Sequence, residues 1–326
     1  MQGKSRLQQL WLGWRKDIVR GGVLFAAVLG IGLFATRMWG RIPFNVNGFN
    51  WEDFRDHDAD RSERAWDESF RWAGMVAPSH WVWIRNTNGP VQVEASESDS
   101  FIVIADKRSR RSNPDDVEIR VIEHAGSVTV CAMWRAEQMT CGSEGEYRLK
   151  DAKKNDVAVR FRILVPQGVK VDASTVNGSV EVDGAPSAVT LATVNGSIDA
   201  SASGPIRAQS VNGAIHATMG ELTGDEPIEL KTVNGAIHAA LPAKVNADLE
   251  ASTVSGRINT ELTVQLMGRV SPRRVNGRIG AGGRPLILST VNGEIEITQA
   301  DSDEVHQQHP KHGVRQESRV RARAPR

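Results

Sequence analysis

Beyond Phe161 the chain has no aromatic residue except histidine, although it holds nine Trp, eight Phe and one Tyr in its 326 residues. Cysteine is nearly missing as well: Cys131 and Cys141 are the two it has. That number excludes a disulfide-dense mini-domain and a multi-cysteine zinc module. No sign of charge dominates, the formal net charge being +1. A nucleic-acid binder would need a concentrated basic surface, so near-neutrality argues against that class. No G-x-G-x-x-G opens a helix after a strand, no Walker lysine follows a glycine loop, and G-x-S-x-G is absent. The common dinucleotide, nucleotide and serine-hydrolase signatures are therefore missing. What remains is 40% apolar and 24% charged, enough to bury a core and too apolar for global disorder. The length corresponds to about two ordinary domains, or to one extended β architecture.

The first segment, residues 1–20, is basic: Lys4, Arg6, Arg15, Lys16 and Arg20 stand against Asp17. An uncharged run from Gly21 to Thr36 follows, ending at Arg37. Sixteen helical residues span about 24 Å, short of a ~30 Å hydrocarbon core. Snorkelling by Arg20 and Arg37, with Met38 and Trp39 extending the apolar surface, makes residues 21–39 a transmembrane helix. A cleaved signal peptide and a buried soluble helix are the competing readings. The sequence Arg37-Met38-Trp39-Gly40 lacks the small residues of a cleavage site. Basic residues before the run outnumber Arg37 and Arg41 after it. The positive-inside bias then places the N-terminus in the cytoplasm of a bacterial inner membrane, and the rest in the periplasm or outside the cell.

Residues 40–80 read as a linker with a short amphipathic helix. Trp66 and Phe70 are four apart within DADRSERAWDESFRW, and Asp58 or Asp60 stands near its start. The DHDAD string reads as a solvated face rather than an ion site.

From residue 81 to 299 the organising signal is internal repetition. The tetrapeptide T-V-N-G or a variant recurs with its turn at Asn177–Gly178, Asn195–Gly196, Asn212–Gly213, Asn234–Gly235, Ser255–Gly256, Asn276–Gly277 and Asn292–Gly293. A divergent eighth copy stands upstream at Asn88–Gly89. With Asn (or Ser255) as position zero, −1 is Val in all seven and +1 is Gly. Position +3 is Val180, Ile198, Ile215, Ile237, Ile258, Ile279 or Ile295. Position −6 is Val171, Val189, Ile206, Ile228, Leu249, Val270 or Leu286. Each copy therefore reads as two period-2 strands joined where positive φ is tolerated. Serial hairpins in a sandwich would use the same Asn-Gly signal. They would point the unvarying −1 Val outward without reason. A coiled stack places it inward at a corner, and the Asn side chains form a hydrogen-bonded ladder. The fold class expected is all-β: a β-solenoid, or parallel β-helix-like stack, behind an N-terminal transmembrane helix. A narrow coil holds Val, Ile, Leu and Ala, which accounts for the missing aromatics. Residues 81–165 form its initial sheet and cap, and 166–299 the V-N-G repeats. Residues 300–326, with Arg315, Arg319, Arg321, Arg323 and Arg326, form a disordered basic tail.

On these repeats, and most clearly over LVPQGVKVDASTVNGSVEV (residues 164–182), the chain resembles the bacterial putative adhesin family, a domain of unknown function with serial V-N-G-x-I units. The resemblance covers about two-thirds of the chain, from Trp81 to Gln299. It implies an all-β, solenoid-like domain behind a membrane segment and supplies no catalytic residues.

Candidate chemistry is sparse. Outward position +4 holds Glu181, Asp199, His216, His238, Asn259, Gly280 and Glu296, a row whose chemistry changes from copy to copy. His216 and His238 share a register and would lie about 5 Å apart on neighbouring coils. With no third ligand repeating beside them, they read as an exposed stacked pair. His306, His309 and His312 could chelate weakly or belong to the tail. Trp81, Trp83 and Trp134 are the platforms left for sugar stacking. Cys131 and Cys141 could close a disulfide across neighbouring strands outside the cytoplasm; buried free thiols are the alternative. The expected function is a membrane-anchored, envelope-facing, non-catalytic binding or scaffold module. It needs no cofactor or metal and binds no nucleic acid, and its partner is a protein or envelope polymer. An enzyme acting on envelope polysaccharide and an envelope-stress sensor are the alternatives.

Overall fold

The structure is a computed structural model that describes residues 66–134, 139–148, 155–220, 222, 226–268 and 271–300. The basic segment, the uncharged run expected to span a membrane, the DHDAD string and residues 301–326 of the expected tail lie outside these residues. Among the described residues no helix is long and apolar enough to cross a membrane.

The strands follow one another as β1 (Asp67–Met75), β2 (Trp81–Arg85), β3 (Val91–Ala95), β4 (Ser100–Arg108), β5 (Val117–His124) and β6 (Ser127–Trp134). A short hairpin of β7 (Thr140–Cys141) and β8 (Tyr147–Arg148) precedes β9 (Ala158–Val165). Then come β10 (Lys170–Ser174), β11 (Val180–Ala185), β12 (Val189–Asn195), β13 (Ile198–Ala202), β14 (Ile206–Asn212) and β15 (Ile215–Met219). After these follow β16 (Ile228–Lys231), β17 (Ile237–Leu241), β18 (Ala247–Ser255), β19 (Ile258–Thr260) and β20 (Val264–Leu266). The last three are β21 (Arg274–Ile279), β22 (Arg284–Asn292) and β23 (Ile295–Gln299).

Two long sheets contain almost all of them. One runs β1-β4-β9-β3-β11-β13-β15-β17-β23-β19, the other β20-β21-β18-β22-β16-β14-β12-β10-β2-β6-β5. Except at Asn276-Gly277, the strands before and after each repeat turn belong to different sheets, so that turn is a corner between sheets and not a hairpin. In each sheet eight successive strands pair in parallel, from β6 to β18 and from β9 to β19. The result is a solenoid-like stack of rungs about 35 Å long. Alternation puts −6, −4 and −2 of one sheet against +3 and +5 of the other. Val189, Leu191, Ile198 and Ala200 of one rung, and Ile228, Leu230, Ile237 and Ala239 of another, are buried this way.

The rungs do not stack in chain order. β22 lies between β16 and β18, and β23 lies between β17 and β19. The final rung of the sequence is thus the penultimate rung of the stack.

Three expectations need correction. Asn276 and Gly277 form no corner: they lie within β21, which runs antiparallel to β18. This copy has Arg274 at −2 and Pro272 at −4, so it lacks the hydroxyl the true corners use and cannot supply a regular ladder there. Second, the described part of the expected linker helix is strand β1, paired with β4 from Asp67 to Met75. Trp66, Phe70 and Trp72 fit a period of two as well as one of four, and the free edge of β4 decides between them. The β domain therefore includes Asp67–Met75, ahead of residue 81. Third, the −1 valines of the corners point away from the main core, and only Val275, within β21, packs into it. Val176 and Val194 join Cys131, Met133 and Tyr147 in a separate apolar cluster, whereas Val254 at the far end is 65% exposed.

Candidate functional site

The corner is the most constant part of each rung. Asn195 Nδ2 donates to Asn177 Oδ1 at 2.8 Å, Asn212 to Asn195 at 2.9 Å, Asn234 to Asn212 at 2.9 Å and Asn292 to Asn234 at 2.8 Å. A second ladder runs just inside it. The −2 hydroxyls of Thr175, Thr193, Ser210, Thr232, Thr290 and Thr253 donate to the carbonyls of Gly89, Gly178, Gly196, Gly213, Gly235 and Gly293. The Thr or Ser at −2 was visible in the repeat, but its role depends on which rung lies next door. The +1 glycines serve that same closeness. A Cβ on Gly196, Gly213 or Gly293 would lie 2.0, 1.9 or 1.9 Å from the preceding rung's glycine oxygen. Among the corner glycines of the stack only Gly89 has positive φ, at 116°. Close stacking, not turn strain, reserves +1 for Gly.

With corners and core held constant, variation falls on the outer faces. On the sheet carrying β13, β15, β17 and β23, the +4 positions pair rung to rung: Asp199 with His216, His216 with His238, His238 with Glu296. His216 Nδ1 lies 2.9 Å from Asp199 Oδ1, and His238 Nδ1 donates to Glu296 Oε2 at 2.8 Å. The two rings meet edge-on with centroids 4.8 Å apart. All four side chains are about half exposed. The row continues with Glu181, which accepts from Gln92 Nε2 at 3.0 Å. Asn259 at the far end donates to Glu294 instead. Glu296 beside His238 was not legible in the sequence, because 58 residues and a displaced rung separate them.

The other sheet's outer face begins with Trp81 and Trp83, stacked with centroids 6.4 Å apart. Lys170 Nζ lies 5.6 Å from the Trp81 ring and bonds Glu226 at 3.0 Å. A small open cleft of about 100 Å³ there is lined by Trp81, Thr190, Pro205, Arg207, Glu226 and Pro227 among others. On this same face Arg85 is buried, giving Nη1 to Asp172 at 2.6 Å and Nε to Gly145 O at 2.9 Å. Trp134, the third sequence candidate, is buried in the core.

Cys131 and Cys141 are joined by a disulfide that ties β6 to the β7–β8 hairpin. That hairpin places Tyr147 under it, with Thr87 and the Ala132 carbonyl 2.9 and 2.7 Å from its hydroxyl. Burial pushes the Tyr147 phenol well above its ordinary range, against the opposing effects of Thr87 and Arg85. Asp156 accepts three successive backbone N–H groups, from Arg110, Arg111 and Ser112. Burial alone would raise its carboxyl, but the bonds from Ser112, Arg111 and Arg110 outweigh that and hold it below the usual value. Asp248 is held low by the Gly283 N–H and by Arg278. Among the described residues no group of three or more His, Cys, Asp or Glu converges as a ready metal centre.

Constant corners, a small-residue core and variable outer rows define a solenoid-like surface module. The chain belongs to the Toastrack DUF4097 family, whose sequence profile matches residues 97–298. Among solved structures it is similar to a "putative cell adhesion protein" of Clostridium sporogenes, at 11% identity and a TM-score of 0.36, over 71% of this chain and 99% of that one. It is also similar to a "putative adhesin" of Bacteroides fragilis, at 12% identity and a TM-score of 0.24, over 71% and 96%. Likenesses this distant carry no ligand or role across. No curated protein matches the sequence.

Proposed function

We propose that the protein is a membrane-anchored, envelope-facing display module: a non-catalytic binding or scaffold protein whose outer faces meet a protein or envelope polymer. The observation that carries this reading is the division of labour within each rung. Corner and core positions repeat, while the exposed rows change chemistry from rung to rung, as a recognition surface requires. The acids and histidines of the +4 row pair with one another along an open sheet. A glycoside hydrolase would instead set two carboxyls across a cleft, so the arrangement favours binding over hydrolysis. The uncharged run Gly21–Thr36 between basic flanks supports the anchor, with residues 1–20 cytoplasmic.

Two measurements test the proposal. In intact cells a membrane-impermeant maleimide should label the Asp60→Cys variant and leave Ser5→Cys unlabelled. The reverse pattern would overturn the envelope-facing topology. For binding, the full-length protein in detergent should retain a specific protein or polymer from an envelope extract. Exchange of outward residues on either face should reduce that capture, whereas turnover of an envelope polysaccharide by the purified chain would sink the non-catalytic reading.

A further inference from the structure

We propose that His216 and His238 form a surface site for a divalent transition-metal ion of the zinc, copper and nickel class, bound through their Nε2 atoms. The stack order brings four side chains into one line across four neighbouring strands: Asp199, His216, His238 and Glu296. Each imidazole has its Nδ1 against a carboxylate, at 2.9 and 2.8 Å. An Nδ1–H directed at a carboxylate fixes the tautomer that leaves Nε2 as a lone-pair donor, the arrangement that orients histidine ligands at metal centres. Asp199 and Glu296 are therefore positioning residues, and the imidazoles are the ligands.

The surroundings leave room for an ion. Two residues to either side of the histidines stand Ala214, just before β15, and Thr218 within it, then Ala236, just before β17, and Ala240 within it. These short side chains do not cover the rings. Ring centroids 4.8 Å apart put the two Nε2 atoms within a side-chain rotation of the roughly 3.3 Å separation that two ~2.0 Å metal–nitrogen bonds at a tetrahedral angle need. Imidazole ligands select zinc, copper and nickel over magnesium and calcium. Because only two protein donors meet, the ion keeps open positions for water or for a donor from outside the chain.

The test is a zinc titration of the full-length protein in detergent by calorimetry. It is run on the natural chain and on a variant with His306, His309 and His312 changed to Ala, so that tail histidines are accounted for. One zinc per chain should remain in the tail variant, and H216A or H238A on that background should weaken it at least tenfold. Asp199→Asn and Glu296→Gln keep both imidazoles and should each weaken it about tenfold; no effect from either would overturn their positioning role. Copper(II) bound to the tail variant should show hyperfine splitting from two imidazole nitrogens, a readout that needs no substitution at the site. Binding that vanishes with the tail histidines, or that survives H216A and H238A unchanged in folded protein, would overturn the site. Magnesium serves as the control that should not bind.

Discussion

A methyl group is enough to test the corner. On Gly213 it would lie 1.9 Å from the Gly196 carbonyl oxygen, backbone against backbone, and neither rung can withdraw without breaking its ladder. Gly213→Ala should therefore lower the unfolding free energy by about 3 kcal/mol or more, at the upper end for overpacking. Gly184 is the comparison, since nothing lies within 4 Å of its would-be Cβ and its φ is 62°. Gly184→Ala carries only left-handed backbone strain and should cost about 1 kcal/mol. Urea titrations of the two variants separate packing from strain as the reason for a conserved-looking Gly within the chain. Thr232→Val probes the adjoining ladder by removing the hydroxyl given to Gly213 O at 2.9 Å. With shape kept and a buried acceptor left unpaired, the same titration should show a loss of about 1–2 kcal/mol. The repeat made these positions conspicuous in the sequence. Their reasons were not legible, because Asn-Gly suggests positive φ and only the inter-rung distance shows otherwise.

At the scale of elements, the β7–β8 hairpin acts as a clasp over the start of the valine row. It covers Val176 and Val194 and is tied to β6 by Cys131–Cys141 across a separation of 10 residues. Closing so short a loop stabilises by about 2–3 kcal/mol on chain entropy. Cys131→Ala with Cys141→Ala should lose about that much in thermal unfolding. It should also bind more of a hydrophobic dye, because the two valines become accessible. Asp156 acts on a neighbouring element by gathering the N–H groups of residues 110–112. Its carboxyl is held low in the folded protein, so the contribution is complete above the unfolded value near 4. It is lost as pH falls through the lower folded value. Asp156→Asn should thus speed amide exchange at residues 110–112 at pH 7, and the difference from the natural chain should shrink as the pH falls below about 4. Strand existence was largely legible from period-2 patterning. The misread elements, β1 and β21, are those where a tertiary edge decided: β4 for the first, and the exposed side of β18 for the second.

For the whole molecule, the unexpected feature is the order of the rungs. The stacked repeats offer nearly interchangeable core residues, a Thr or Ser at −2 and, in all but one, the same Asn, so the sequence contains a pattern without an address. One residue hints at the arrangement. Ser255 replaces Asn in the rung that lies last in the stack, where no further rung needs an amide, and Val254 beside it is exposed. The rung of β22 and β23 is consequently the piece that joins the terminal part to the rest. It buries Leu286, Leu288, Ile295 and Ile297, with parallel neighbours on both sides in both sheets. A chain ending at Gly283 should keep amide protection through β17 and lose it across residues 247–279, whose strands then have no rung to pair with. It should also self-associate through the open edges of β16 and β17. A chain ending at Ala300 keeps the rung and should match the full-length protein. A peptide of residues 284–299 added to the shorter chain should restore protection at 247–279, read by hydrogen exchange and mass spectrometry. Full protection of that segment without the peptide would mean that β18 can pair directly with β16, and that the chain-order stack suggested by the repeats is accessible after all.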